Sequence, residues 1–315
     1  MIAYYSSLAM VTSAVLYLLA MTVHAAEWAS ARAAKVPEPV LVGAGAEPDG
    51  VVTPSGVLVE DAPPARSQRI ELLGRAALGI TFVAAATHIL GVVLRGVAAN
   101  RAPWGNMYEF ITSALAAVVI VYLVMALRGT RWLGLPATLL LAIGQGLAVT
   151  VFYVDVSELM PALHSVWFRI HIFAAVAAAA AFNIGGIAAL IYLWRSRAEA
   201  KGSVRGYLAR IPSADALDRI SYRFHAFAFP LWTFTIAAGA IWAQYAWGRF
   251  WGWDPKETWS LVTWIIYAGY LHARATVGWK GRRAAIVALI GLASFWFNFV
   301  GINLLTSGLH SYAGI

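Results

Sequence analysis

Long apolar runs separated by short polar connections dominate the chain. Runs able to cross a bilayer, about 20 residues each, fall near 2 to 24, 72 to 97, 107 to 127, 132 to 153, 167 to 194, 225 to 246, 258 to 279 and 284 to 306. They predict an all-α polytopic membrane protein with about eight transmembrane helices, an even number that places both termini on one side. Between the first two runs, Ala26 to Arg69 is rich in Pro, Gly, Ala and Val with no usable apolar period, which predicts a flexible linker without chemistry. The expected organisation is a first transmembrane helix over 1–25, a cytoplasmic linker over 26–70 and a seven-helix core over 71–315. Small residues within the fifth and eighth runs, including Gly185, Gly186, Gly291 and Gly301, allow close helix approach and predict a packed bundle.

One stretch departs from this pattern. Trp247 to Trp259 reads WGRFWGWDPKETW, with Trp247, Trp251, Trp253 and Trp259 around Asp254, Lys256 and Glu257, punctuated by Gly248, Gly252 and Pro255. Gly and Pro at this density predict shaped, non-helical backbone between two apolar segments. Such backbone cannot lie exposed in hydrocarbon, so it belongs at a membrane surface or in a protein-lined cavity. Tryptophan also collects at interfaces as a simple anchor. An anchor does not require the charged Asp-Pro-Lys-Glu run. Flat aromatic surface beside both signs of charge suits a large, planar, amphiphilic ligand.

Composition narrows the class. Of 315 residues, 61% are hydrophobic and 12% charged, with mean hydropathy +0.70. Soluble domains carry about 25% charged residues. The net charge of +8 does not indicate nucleic acid, because the Lys and Arg residues collect in loops between apolar runs rather than on one soluble face. The odd-numbered loops hold most of them, seven between Arg195 and Arg223 alone. By the positive-inside rule those loops are cytoplasmic, and both termini and the Trp-rich loop face outward. No basic residue precedes the first apolar run, so that run is expected to be retained as a span. There is no cysteine, so this chain has neither thiol exchange nor thiolate ligation, and its seven histidines are the candidate metal ligands.

His171, in PALHSVWFRIH, is expected just below the outer surface, and His310, in SGLHSY, follows the last span on the same side. Two imidazoles flanking a Trp-rich loop are how a protein can hold a six-coordinate haem iron. His272, in GYLHARA, is expected to be buried in the inner half of the seventh span, where an ionisable group is costly and a functional candidate. His88 is a possible transmembrane partner for it, although it lies toward the other half of the bilayer. His24 and His225 are read as interfacial, and His164 shares a face with His171 only if that helix extends far enough. Asn106, Tyr108 and Glu109 form a second polar cluster, read as helix capping.

WGRFWGWDPKETW resembles the tryptophan-rich signature of the WWD haem-handling superfamily, and GAIWAQYAWG and WKGRRA are similar to its CcsA/ResC branch. The resemblance extends through LRGVAANRAPWGNMYEF, MPALHSVWFRIH and GINLLTSGLHSYAG, roughly residues 72 to 315. It implies a subunit of a membrane cytochrome c synthase, active as a haem lyase with a ResB/CcsB-type membrane partner. In that reading haem b is the substrate, presented at the outer face of a bacterial plasma membrane. It is attached by its vinyl groups to the CXXCH cysteines of an apocytochrome c kept reduced by a thioredoxin-like thiol reductant. The resemblance makes His171 and His310 the outer haem ligands and catalytic residues, and His272 a transmembrane ligand whose counterpart is His88 or a partner histidine. The residues of the 247–259 loop are implied to bind the haem, with Arg249 or Lys256 able to pair with its propionates. Two alternatives share parts of the pattern: a haem exporter or chaperone of CcmC or CcmF type without attachment activity, and a transporter of a different planar ligand.

Overall fold

The computed structural model describes residues 1–32, 65–306 and 309. The middle of the linker and His310 lie outside them. Among the described residues the chain forms eight long helices: α1 (Ile2–Arg32), α2 (Ala65–Ala99), α3 (Met107–Leu127), α4 (Gly134–Thr150), α5 (Val166–Ala200), α6 (Ala214–Trp247), α7 (Pro255–Thr276) and α8 (Gly281–Trp296). A π-helical turn, Phe297–Gly301, leads from α8 into the short α9 (Ile302–Leu305).

The expected spans are present, with shifted ends. α1 and α2 run into the predicted linker, and α6 begins eleven residues before the expected position 225, at Ala214. These extensions carry charge, for example Asp215, Asp218 and Arg219 at the start of α6. Reading only the hydrocarbon-length apolar stretch misses them, because a helix continues into water wherever its cap allows. Ser213 caps α6 by accepting from Ala216 N, and Ser165 caps α5 by accepting from Trp167 N.

Seven of the long helices are apolar enough to cross a membrane by length and composition; α7 falls short in hydropathy. At about 1.5 Å per residue its 22 residues still reach across a hydrocarbon core of about 30 Å. Trp232 Nε1 donates to Ser260 O at 3.2 Å, and Arg274 pairs with Asp218 at 2.9 Å, so α6 and α7 run antiparallel. Thr263 with Ser294 and Tyr267 with Ala288 set α7 antiparallel to α8. The polar side chains that lower the hydropathy of α7 are largely engaged inside the bundle.

α5 is the central element, packed along α6 and against α3 and α8, while α1 packs on α2 and α4. One apolar cluster joins the first five helices through Tyr17, Ala84, Val119, Tyr122, Leu141 and Ile184; a second joins α5 to α8 through Phe182, Trp232, Tyr267 and Phe295. Gly185, Gly186 and Gly291 allow the close helix approach expected of them, whereas Gly301 faces Phe297 of its own turn. A Cβ on Gly186 would sit 2.5 Å from Leu292, and one on Gly291 would sit 2.7 Å from the ring of Tyr267. Tyr267 is fully buried and stacked on Phe182 at 4.2 Å, so it has little room to retreat. Gly291→Ala is expected to cost about 1–3 kcal/mol by overpacking, read as a lowered melting temperature of the purified protein; unchanged melting would count against this packing.

Candidate functional site

A smaller apolar cluster of Leu163, Phe168, Ile172 and Trp242, with Trp104, Phe110 and Trp247 against it, closes one end of the bundle. Beside it opens a largely apolar cavity, about 1120 Å³ when the open solvent at its mouth is included. Its walls come from the start of α3 (Met107, Phe110), the first turns of α5 (Phe168, His171, Ile172), the later half of α6 (Trp232 to Ala243), Phe250 and Trp251 of the connection, Lys256 and Ser260 of α7, and Asn298 of the π-helical turn. The walls are mainly aromatic and aliphatic.

His171 is held in one tautomer. Its Nδ1 lies 2.8 Å from the carbonyl oxygen of Thr235, which can only accept, so Nδ1 carries the proton and the lone pair of the neutral ring is on Nε2. The ring stacks on Trp242, with centroids 5.8 Å apart. A Cβ on Gly239 would come within 2.7 Å of His171 Nδ1, so the absence of a side chain there makes space for the imidazole. Trp242 is fixed in turn by donating to Ala162 O at 2.7 Å.

The Trp-rich stretch is less irregular than its Gly and Pro content predicts. α6 continues through Trp247 and ends at Gly248, whose left-handed φ of 71° terminates it. α7 begins at Pro255 with Asp254 as its cap, so Pro255, Lys256, Glu257 and Trp259 are helical. Proline at the first position and a capping box start a helix rather than break one. Only the short connection between Gly248 and Asp254 is non-helical. Glu257 Oε2 accepts from Gly252 N at 2.8 Å and Asp254 N at 3.1 Å, straddling Trp253. That grip holds Trp253 at φ 60°, a conformation costing a bulky side chain roughly 1–3 kcal/mol, and leaves its indole 69% exposed.

The four tryptophans therefore differ in position. Trp251 lines the cavity, and Trp253 meets it edge to face at 5.8 Å from the exposed side. Trp247 packs on Trp242, and Trp259 on Phe297. Asp254 is buried; it accepts from Lys256 N through Oδ1 and from Leu309 N through Oδ2, both at 3.0 Å. This brings the residue preceding His310 onto the loop. Arg249 forms a 3.5 Å ion pair with Glu257 and packs over Gly252, where a Cβ would collide with its guanidinium.

The other described histidines do not gather here. His272 is exposed on α7 rather than buried, because the inward positions of that helix are taken by Thr263, Tyr267 and Tyr270. His88 is fully buried, with Nδ1 3.1 Å from Tyr17 Oη; α2 packs on α1 and α3 while α7 packs on α6 and α8, so His88 and His272 belong to different parts of the bundle. His24 and His225 are buried rather than interfacial, beside Glu27 and on Ser221 O respectively. His164 is exposed, and α5 starts after it, at Val166, which removes any shared face with His171.

Asn106 does cap α3, accepting from Glu109 N, but capping understates Glu109. Its carboxylate is fully buried and binds Arg95 at 2.9 Å, Arg101 at 2.6 Å and Gly105 N at 2.7 Å. Arg95 goes on to the carbonyls of Val154 and Asp155, and Arg101 to that of Ser157. The knot ties the end of α2 and the 101–106 segment, whose Trp104, Gly105 and Asn106 line the cavity, to the 154–157 segment. Trp232, Thr235, Ile236, Gly239, Trp242 and Ala243 were also not singled out from sequence. Their spacing of three and four traces one face of α6, a signal available in principle.

Residues 80–310 match the protein family described as Cytochrome C assembly protein. The chain is 35% identical over 292 residues to the cytochrome c biogenesis protein CcsA of Synechococcus elongatus, covering 76% of this chain and 89% of the relative. It is 33% identical over 298 residues to the protein of that name from Gloeobacter violaceus, covering 78% and 88%, and 42% identical over 176 residues to that of Mesostigma viride, covering 50% and 58%. The matched region contains α3 to α9 and the second half of α2, and with them every wall of the cavity, so the chain belongs to the cytochrome c assembly protein family.

Proposed function

We propose that this protein handles haem during cytochrome c maturation, holding it in the cavity between α5, α6 and the Trp-rich connection for covalent attachment to an apocytochrome. The observation that carries this reading is the placement of His171, which lines the cavity with its Nδ1 donating to Thr235 O, the tautomer in which Nε2 is the nitrogen that can ligate a metal. The aromatic walls suit a porphyrin face. His310 would be the second axial ligand, a reading supported by the hydrogen bond from Leu309 to Asp254. Catalysis in this reading is positioning: the chain fixes where the vinyl groups lie relative to incoming CXXCH thiols and limits wrong orientations.

The same reading places both termini and the Trp-rich connection outside a bacterial plasma membrane. Two of the few basic residues on that side, Arg95 and Arg101, are neutralised in part by Glu109, which sharpens the charge asymmetry. His272, exposed on α7, would be a transmembrane haem ligand completed by a histidine of a ResB/CcsB-type partner, since His88 packs elsewhere. Haem lyase activity would then belong to the complex, with haem b and a thiol-reduced apocytochrome c as substrates.

The test is an absorption spectrum of the purified protein, alone and with a co-expressed partner of that type, followed by attachment to a CXXCH peptide. A Soret band and thioether formation are expected. Bound haem without attachment would move the assignment to an exporter or chaperone, and no haem under any condition would move it to transport of another ligand.

A further inference from the structure

The cavity has one polar wall, and its hydrogen bonds are incomplete. Of the ionisable side chains that line it, Glu257 is committed to Gly252 N, Asp254 N and Arg249, and His171 to Thr235. Lys256 is different: its backbone N–H is capped by Asp254, but its ammonium forms no ion pair among the described residues. One turn further along α7, Ser260 Oγ donates to Lys256 O at 2.7 Å. Having spent its proton there, Ser260 can only accept from Asn298, which offers Nδ2 at 3.0 Å. Asn298 Oδ1 is left buried without a partner among the described residues, on a side chain only 4% exposed. A π-helical turn, a feature frequent at functional sites, presents it to the cavity.

A half-satisfied amide and an ammonium without a close ion pair among the described residues, both on the wall of one apolar cavity, are costly unless a ligand completes them. We infer that Lys256, Ser260 and Asn298 form a carboxylate-recognition subsite, which fixes the in-plane orientation of the cavity's ligand by an acidic side arm while His171 addresses its centre. Lys256 supplies the charge. A half-turn of the Asn298 amide points Nδ2 at the carboxylate, and Oδ1 then takes the Ser260 hydroxyl, so every polar atom of the wall acquires a partner. Arg249 has no part in this, being held by Glu257. The inference rests on the cavity being a haem site and adds which residues set the orientation.

The experiment compares binding of iron protoporphyrin IX with that of its dimethyl ester, which has the same ring and iron but no carboxylate, to the purified full-length protein. Wild type is expected to favour the diacid by about tenfold, the worth of one charge-assisted hydrogen bond. Lys256→Gln should remove the preference and Lys256→Arg should retain part of it. Asn298→Asp, equal in size but repelling a carboxylate, should remove it as well. Lys256 is half-buried and its capping bond uses only backbone, so the glutamine variant keeps the fold. Equal binding of both porphyrins by wild type, or an undiminished preference in Lys256→Gln, overturns the subsite and leaves the haem assignment standing. Failure of wild type to bind either porphyrin overturns both.

Discussion

Glu109→Ala is expected to lower the stability of the protein by about 3–5 kcal/mol, the usual cost of removing one partner from a buried ion pair. The carboxylate is fully buried, and the Arg95 side chain it meets is 1% exposed, so deletion strands a guanidinium where water cannot replace the lost charge. The damage would extend further. Arg95 and Arg101 also hold the carbonyls of Val154, Asp155 and Ser157, and Gly105 N loses its acceptor. Trp104, Gly105 and Asn106 line the cavity, so ligand retention should fall although Glu109 is not itself a lining residue. The measurement is thermal unfolding of the purified variant with bound haem followed in parallel. Glu109→Leu combined with Arg95→Leu should recover part of the stability, since it removes the two most deeply buried charges and leaves only Arg101, whose side chain is 13% exposed. A single alanine variant that melts with wild type would show that the knot contributes nothing.

Much of this architecture is legible in the sequence because each long apolar run has essentially one stable structure in a bilayer. The α3 boundaries, 107 to 127, coincide with the apolar run because Asn106 caps one end and Arg128 and Gly129 close the other. The Trp-rich stretch is legible as a site but not in its conformation. Pro255 reads as a breaker in isolation, whereas Asp254 before it and Glu257 after it make it the first residue of a helix. Burial is the hardest property to read. His272 and His225 both sit in apolar runs, yet one is exposed and the other enclosed by Phe182, Tyr267 and Tyr270. Which face of a helix turns inward is set by its neighbours, and the neighbours of α7 are chosen by pairings such as Arg274 with Asp218 that no local pattern announces. The same limit hid Glu109: a first-turn carboxylate is sufficient for a cap, and only the fold brings Arg95 and Arg101 to it.

The other large effect is expected at His171. In the proposed role, His171→Ala removes one of two axial ligands, and bound haem should be lost or its Soret band weakened, with cytochrome c maturation reduced to background. The surroundings make the variant informative beyond simple loss. Trp242, Gly239 and Thr235 form a slot for an imidazole ring, and the alanine variant leaves the Thr235 carbonyl without the donor it had. Free imidazole fits that vacancy: one nitrogen can donate to Thr235 while the other presents its lone pair to iron, reproducing the tautomer that the protein imposes on His171. Added imidazole should therefore restore the spectrum of His171→Ala. His310→Ala should show the same loss, because six-coordination needs both sides. Trp242→Ala should weaken binding without rescue by imidazole, since it removes the wall against which the ring is stacked. If both histidine variants retain haem with an unchanged spectrum and support normal maturation, iron is not held from this cavity and the assignment fails.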